Sequence, residues 1–275
     1  MLTLHSPAKI NLFLKIVKKR PDGYHELASL MQTISLFDTL RIRLAPQDRF
    51  TCSDPYLPTD STNLVIAALH KIRKAHSQDF HVHIHLEKQI PVQAGLGGGS
   101  GDAATALWGI NQLLGQPFSI EQLQSIGSTL GSDVPFFLSE GTAHCRGRGE
   151  ILQPISPLQS QEVWIVKPLE GLSTPHVYSA LEIDQLPPRD PEESLKKVEL
   201  GEPEYYNDLE EAAFRLLPRL REIKETLLAA GFKTVLLCGS GTAFFCLGDV
   251  TPPHIVGTAA IKVKFINRSA NRWYE

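Results

Sequence analysis

The sequence predicts a two-domain α+β fold, and three features carry that expectation. Its 275 residues, 42% of them hydrophobic, suffice for one large domain or two smaller ones sharing an interface. Strand-like and helix-like segments alternate in a way that suits antiparallel strands with helices on one face. Pro154-Ile155-Ser156-Pro157 interrupts the pattern and divides the chain into residues 1–155 and 156–275.

Ser6–Ile16 reads as a strand, with Ile10, Leu12, Leu14 and Ile16 on one side and Lys9, Asn11 and Lys15 on the other. Lys18-Lys19-Arg20-Pro21-Asp22-Gly23 is a turn by its proline and Asp-Gly pair, and the chain returns through Tyr24-His25 into strands at Leu30–Leu36 and Thr39–Leu44. Asn63–Ala75 is a helix entered through Asp60-Ser61-Thr62. Val82, Ile84 and Leu86 alternate with His81, His83 and His85 in a strand. A glycine run follows, then a helix in which Ala103, Ala104, Leu107, Ile110 and Leu114 recur, capped by Gly115. Ser119–Leu130 is a helix with Ser119 as N-cap, Gly131–Phe137 breaks the pattern, and Gly141–Gly149 is a turn-rich hairpin. The second part reads as strand Val163–Val166, a helical turn Thr174–Leu181 and a proline- and acid-rich loop Pro187–Glu204. Helices Asp208–Leu217 and Arg219–Ala230, strands Thr234–Cys238 and Ala243–Leu247, helix Pro253–Ile261 and strand Val263–Ile266 complete it.

Pro91-Val92-Gln93-Ala94-Gly95-Leu96-Gly97-Gly98-Gly99-Ser100-Gly101 organises the rest. Without Cβ atoms the backbone can wrap closely around a ligand, and the helix behind it points unpaired amides and its positive end at that ligand. This is an anion site suited to phosphate. It is not a P-loop, because Asp102 stands where Lys and Ser/Thr would follow the last glycine. Gly99–Ala104 matches the loose dinucleotide pattern G-x-G-x-x-A, but the preceding strand is polar on one face.

A formal net charge of −3 opposes a nucleic-acid surface. Cys52, Cys145, Cys238 and Cys246 lack paired spacing and read as buried thiols in a reducing cytosol. Neither a targeting segment nor a membrane-length apolar run is visible, so the expectation is a cytoplasmic protein with no membrane partner.

Pro91-x-x-x-Gly95-Leu96-Gly97, followed by a serine and a helix, resembles the central motif of the GHMP kinases. Ala8-Lys9-Ile10-Asn11-Leu12, Arg20–Glu26, Gly131–Phe137 and Gly239-Ser240-Gly241-Thr242-Ala243 extend the resemblance in matching order. It implies an N-terminal domain like domain 2 of a ribosomal protein and a ferredoxin-like C-terminal α/β sandwich. It also implies phosphorylation, with ATP and Mg2+, of a small molecule: a cytidine diphosphate-linked methylerythritol of the non-mevalonate isoprenoid precursor pathway. The chain would be a monomer or weak homodimer. By the same resemblance Asp133 is the catalytic base and Lys9 its cationic neighbour, while Asn11, Tyr24, His25 and Tyr178 hold the acceptor, the two tyrosines stacking on its base. Asn63, Lys88, Pro91, Gly95, Leu96, Gly97, Gly98, Gly99, Ser100 and Gly101 would hold ATP. The second serine that many of these kinases have stands here as Gly101, so no protein side chain is assigned to the metal.

Other readings stay open on the residues alone. Asp133 also suits a helix N-cap, Lys9 a solvated lysine, and Tyr24-His25 a hairpin tail. His81, His83 and His85 share a strand face, but no cysteine or carboxylate completes a metal site with them. Arg146 and Arg148 could reach phosphate or simply be solvated. The alternatives for the whole chain are a homoserine- or mevalonate-type kinase, a nicotinamide oxidoreductase, and a nucleic-acid module.

Overall fold

The computed structural model describes residues 1–274. Strands β1 (Leu2–Lys19) and β2 (His25–Leu44) pair antiparallel from Leu2↔Ile42 to Lys19↔His25 around the Arg20–Tyr24 turn. They are followed by β3 (Arg49–Cys52), α1 (Leu64–Ala75), β4 (Val82–Glu87), α2 (Gly98–Leu113), α3 (Ile120–Ser128), α4 (Val134–Phe137), β5 (Thr142–Gly147) and β6 (Ile151–Pro154). The expected pair of strands at 30–36 and 39–44 is thus one strand. It is long because its second edge serves two partners, β5 along Leu27–Gln32 and β4 along Thr39–Leu44. Local signals start two helices where expected. Asn63 accepts from the Val65 amide at 3.0 Å to cap α1, and Ser119 with Gln122 forms a capping box on α3.

The chain continues through β7 (Glu162–Pro168), α5 (Thr174–Ser179), α6 (Pro191–Glu199), β8 (Tyr206–Asn207), α7 (Glu210–Leu216), α8 (Arg219–Ala229), β9 (Thr234–Leu237), β10 (Phe244–Leu247) and β11 (Thr258–Lys264). Two expectations fail here. Residues 187–204 are not one loop: Asp190 caps α6, Pro191 opens it, and Leu195 and Val198 bury its apolar face. Residues 253–261 are not a helix, since Thr258–Lys264 pairs as an edge strand with β7, from Thr258↔Pro168 to Lys264↔Glu162.

Among the described residues seven strands form one sheet, ordered β3-β4-β2-β1-β8 with β5 attached to β2 and β6 to β5, and four form another, ordered β11-β7-β10-β9. Helices α1 and α2 cover the first sheet over a core that includes Leu40, Ile42, Ile72, Ile84 and Leu107. A second core joins the sheets through Ile10, Phe13, Ile34, Ile165, Phe245 and Phe265. This contact buries both sides of β1, so Lys9 and Asn11 are interior residues rather than members of a solvated face. The third core lies under α7 and α8, around Leu220, Leu227, Leu237 and Phe244. The loose dinucleotide pattern at residues 99–104 falls wholly inside α2, not at a strand-to-helix turn, which removes the physical basis of the nicotinamide reading.

Candidate active site

Three segments meet at the start of α2. Gly97 caps the helix in the left-handed region, with φ of 71°. The first amide bonded inside the helix is that of Gly101, which donates to the Gly97 carbonyl at 2.9 Å. The amides of Gly98, Gly99 and Ser100 therefore project beyond the helix end, as an anion site requires. The Lys9 amide donates to the Leu96 carbonyl at 2.9 Å. A Cβ on Gly97 would stand 2.8 Å from the Phe137 ring and 3.0 Å from the Lys9 stem, so this glycine lets β1, α4 and the loop touch. Gly95, with φ of 79°, has a different task. Its Cβ would fall 1.7 Å from the Cys238 carbonyl oxygen, while one on Gly241 would lie 2.0 Å from the Ala94 carbonyl carbon. The two glycine motifs interlock through bare backbone.

From this junction the reacting end follows. Asp133 precedes α4 without making a side-chain cap bond, which sets aside its reading as a helix cap. Its Oδ2 lies 3.4 Å from Lys9 Nζ; the Asp133 side chain is 29% exposed and that of Lys9 only 4%. Lys9 Nζ also donates to Asn11 Oδ1 at 2.8 Å, Asn11 Nδ2 donates to Ser29 Oγ at 2.8 Å, and Ser29 Oγ donates to the Phe13 carbonyl at 2.7 Å. Burial with two oxygen partners replaces the solvated-lysine reading. Asn11, expected to touch the acceptor, bonds Lys9 and Ser29 with its side chain and lines the cavity described next.

One cavity of about 490 Å3 is lined by Lys9, Asn11, Asp133, Tyr24, His25 and Tyr178 among others. The Tyr178 ring packs on His25 with centroids 5.1 Å apart, and Tyr24 is 56% exposed. Burial, with the Lys19 ammonium adding to it, holds His25 below the ordinary histidine value. Burial also pushes the Tyr178 phenol upward, and the Asp133 charge adds to this. At neutral pH the His25 and Tyr178 side chains are thus uncharged.

Two residues assigned to ATP have local work. Asn63 caps α1 with Oδ1 and donates from Nδ2 to the Pro58 carbonyl at 2.9 Å. Lys88 Nζ is held by Asp38 and by Asp102 at 2.9 Å, beneath the first turns of α2. Burial pulls this ammonium down, but the two carboxylates outweigh it and hold it above the ordinary lysine value. Asp38 also accepts from the Ile90 amide at 2.8 Å, which fixes the entry to the glycine segment. Leu96 is buried as core, and Pro91 opens the segment half-buried. The Ser100 hydroxyl lies inside α2 rather than in the loop, facing the turn before Asp133: it is 3.8 Å from where a Gly131 Cβ would stand.

Three other groups line the cavity in places that sequence reasoning did not assign: Arg148, whose Cζ stands 4.9 Å from the Tyr24 ring centroid, and the hydroxyls of Thr174 and Ser240, 2.8 Å apart. All depend on long-range partners. His83 bonds Arg43 and His85 bonds Thr51, and among the described residues no group of three His, Cys, Asp or Glu side chains is placed to hold a metal.

The GHMP kinases N terminal domain matches residues 63–141, and the GHMP kinases C terminal domain matches residues 189–255. The chain is 52% identical over 274 residues to a 4-diphosphocytidyl-2-C-methyl-D-erythritol kinase of Protochlamydia amoebophila, covering 99% of this chain and 93% of the relative. It is 42% identical to the chloroplastic protein of that name in Mentha piperita, covering 99% of this chain and 72% of the relative. The crystal structure of a 4-(cytidine 5'-diphospho)-2C-methyl-D-erythritol kinase superposes with a TM-score of 0.81 at 36% identity, covering 96% of this chain and 99% of that one. A homoserine kinase from Cytophaga hutchinsonii shares the fold, with a TM-score of 0.70 at 17% identity over 97% of this chain and 95% of its own.

Proposed function

The chain belongs to the 4-diphosphocytidyl-2-C-methyl-D-erythritol kinase family of the GHMP kinases, and we propose that it uses ATP to phosphorylate the 2-hydroxyl of 4-diphosphocytidyl-2-C-methyl-D-erythritol in isoprenoid precursor synthesis. The observation that carries this reading is the shared cavity. It has a carboxylate–ammonium pair at one end and three rings able to meet a nucleobase at the other. Homoserine and mevalonate have no base for such rings.

Phosphoryl transfer asks the protein chiefly for positioning and charge stabilisation. In this reading the free amides at the start of α2 hold the phosphates of ATP. Asp133 accepts the proton of the acceptor hydroxyl. Lys9 keeps Asp133 ionised and faces the charge that develops on the transferred group. Tyr24 and Tyr178 take the cytosine faces and neutral His25 its edge. Ser100 and Asp133 are hard oxygen donors of the kind magnesium accepts, and magnesium carried by the phosphates would neutralise their charge. The division at residues 155/156 belongs to the same reading and is supported by the two sheets, with β8 alone among the later strands joining the first sheet. So does a cytoplasmic location, supported by four free thiols of which three are buried.

The test is ADP release with the cytidyl acceptor, mevalonate, homoserine or no acceptor. Turnover with the cytidyl acceptor alone is expected. Turnover with mevalonate or homoserine in its place would contradict the reading.

A further inference from the structure

Tyr24 is the least supported ring of the cavity. Its backbone is fixed, because the Tyr24 amide donates to Asp22 Oδ1 at 3.1 Å and Asp22 is held by Arg20 at 3.0 Å. Its ring is more than half exposed and could turn about two side-chain bonds. What meets the ring face is the Arg148 guanidinium, 4.9 Å from the centroid. Arg148 sits on a stiff turn between β5 and β6. Gly147 and Gly149 have φ of 74° and 119°, and the Arg148 amide donates to Glu150 Oε2 at 2.6 Å. The same turn reaches the reacting end, since a Cβ on Gly149 would lie 3.6 Å from Asp133 Oδ1.

We infer that Arg148 is a positioning residue for the acceptor's base: by covering one face of Tyr24, it sets the ring so that the other face is ready to stack. A ring fixed beforehand loses less freedom on binding, and a cation on its face is the means. This rests on the cytidyl-acceptor reading above. It differs from a phosphate-binding role, which would use the charge of Arg148 on the ligand rather than on the ring.

The test titrates cytidine and cytidine diphosphate into the wild type, Arg148→Met, Arg148→Lys, Tyr24→Ala and the double variant Tyr24→Ala/Arg148→Met. An ATP analogue reports that each variant is folded. Arg148→Met is expected to weaken cytidine and cytidine diphosphate by the same factor, about 2- to 5-fold. Arg148→Lys should recover part of the loss, and Arg148→Met should cost nothing further once Tyr24 is alanine. In turnover the change should appear in KM with kcat nearly kept. An equal loss on the Tyr24→Ala background overturns the proposal, and so does unchanged affinity. A loss confined to the diphosphate would make Arg148 a phosphate ligand, and tighter cytidine binding would place its guanidinium where the base belongs; either overturns it as well. A wild type that binds the ATP analogue but neither cytidine nor its diphosphate would fail the acceptor reading itself and the proposal with it.

Discussion

Asp133 and Lys9 face each other at 3.4 Å, close enough to act as a unit. Asp133→Asn should lower kcat by about 10²–10⁴, the usual worth of a general base, with ATP affinity kept. Adding Lys9→Ala should cost less than the product of the two single effects, because the pair acts as a unit. Near-normal kcat in Asp133→Asn would leave that carboxylate without a catalytic task. Lys88 behaves otherwise. Lys88→Met strands Asp38 and Asp102 as buried carboxylates, so it should destabilise the fold by about 3–5 kcal/mol in chemical denaturation. Loss of ATP affinity in a Lys88→Met protein of unchanged stability would contradict this and restore Lys88 to direct nucleotide contact. The sequence marked Lys9 and Asp133 because they stand in local motifs. It could not show the ion pairs that hold Lys88, because Asp38 is fifty residues away in the chain. The contact of Arg148 with Tyr24 was equally illegible, since Tyr24 lies on another turn.

At the scale of elements, α2 separates glycines that leave room for a ligand from glycines that leave room for the fold. A Cβ on Gly99 would meet nothing nearer than the Leu64 side chain at 3.6 Å. Gly99→Ala should therefore fold normally, helped by helix propensity of about 1 kcal/mol, and any loss of ATP affinity reports a close phosphate approach. Unchanged affinity would show that the phosphates stay clear of Gly99. Gly95→Ala should instead lower the melting temperature sharply, because its Cβ would enter the Cys238 carbonyl at a backbone angle alanine rarely adopts. The glycine run was legible as a helix-opening anion site, but which glycine does which task depends on Cys238 and Gly241 from the other sheet. Two elements were misread for separate reasons. Around α6 the prolines suggested a loop, although Pro191 at the first helical position, Asp190 as cap and Lys196 and Lys197 in the last turn are all helix signals. Thr258–Lys264 contains Ala259-Ala260, which favours a helix, yet the open edge of β7 imposes a strand.

Across the whole molecule, the α+β architecture was legible from alternation and punctuation. The burial of both sides of β1 was not, because a single strand does not announce the second sheet packed on it. That packing also gives the fold an acid sensitivity. His144 on β5 is fully buried, and burial holds it below the ordinary histidine value against the pull of Glu192 and Gln153. As pH falls through the unfolded value near ~6.5, the unfolded chain takes a proton that the folded chain refuses, so stability drops on acidification. His144→Phe should make urea midpoints fall less steeply between about pH 7 and 5, whereas an unchanged slope would clear His144 of the effect. In the proposed reaction one cleft joins the phosphate-binding helix end, the Asp133–Lys9 pair and the base-facing rings for a single transfer. The most direct measurement follows phosphorus NMR of ATP and the cytidyl acceptor with the wild type and with Asp133→Asn. A new phosphomonoester resonance on the acceptor, beside its intact diphosphate, is expected to appear as ADP forms and to be slowed by about 10²–10⁴ in the variant. ATP consumed to ADP and free phosphate with the acceptor unchanged, or a phosphomonoester formed equally fast by Asp133→Asn, would contradict the proposed reaction.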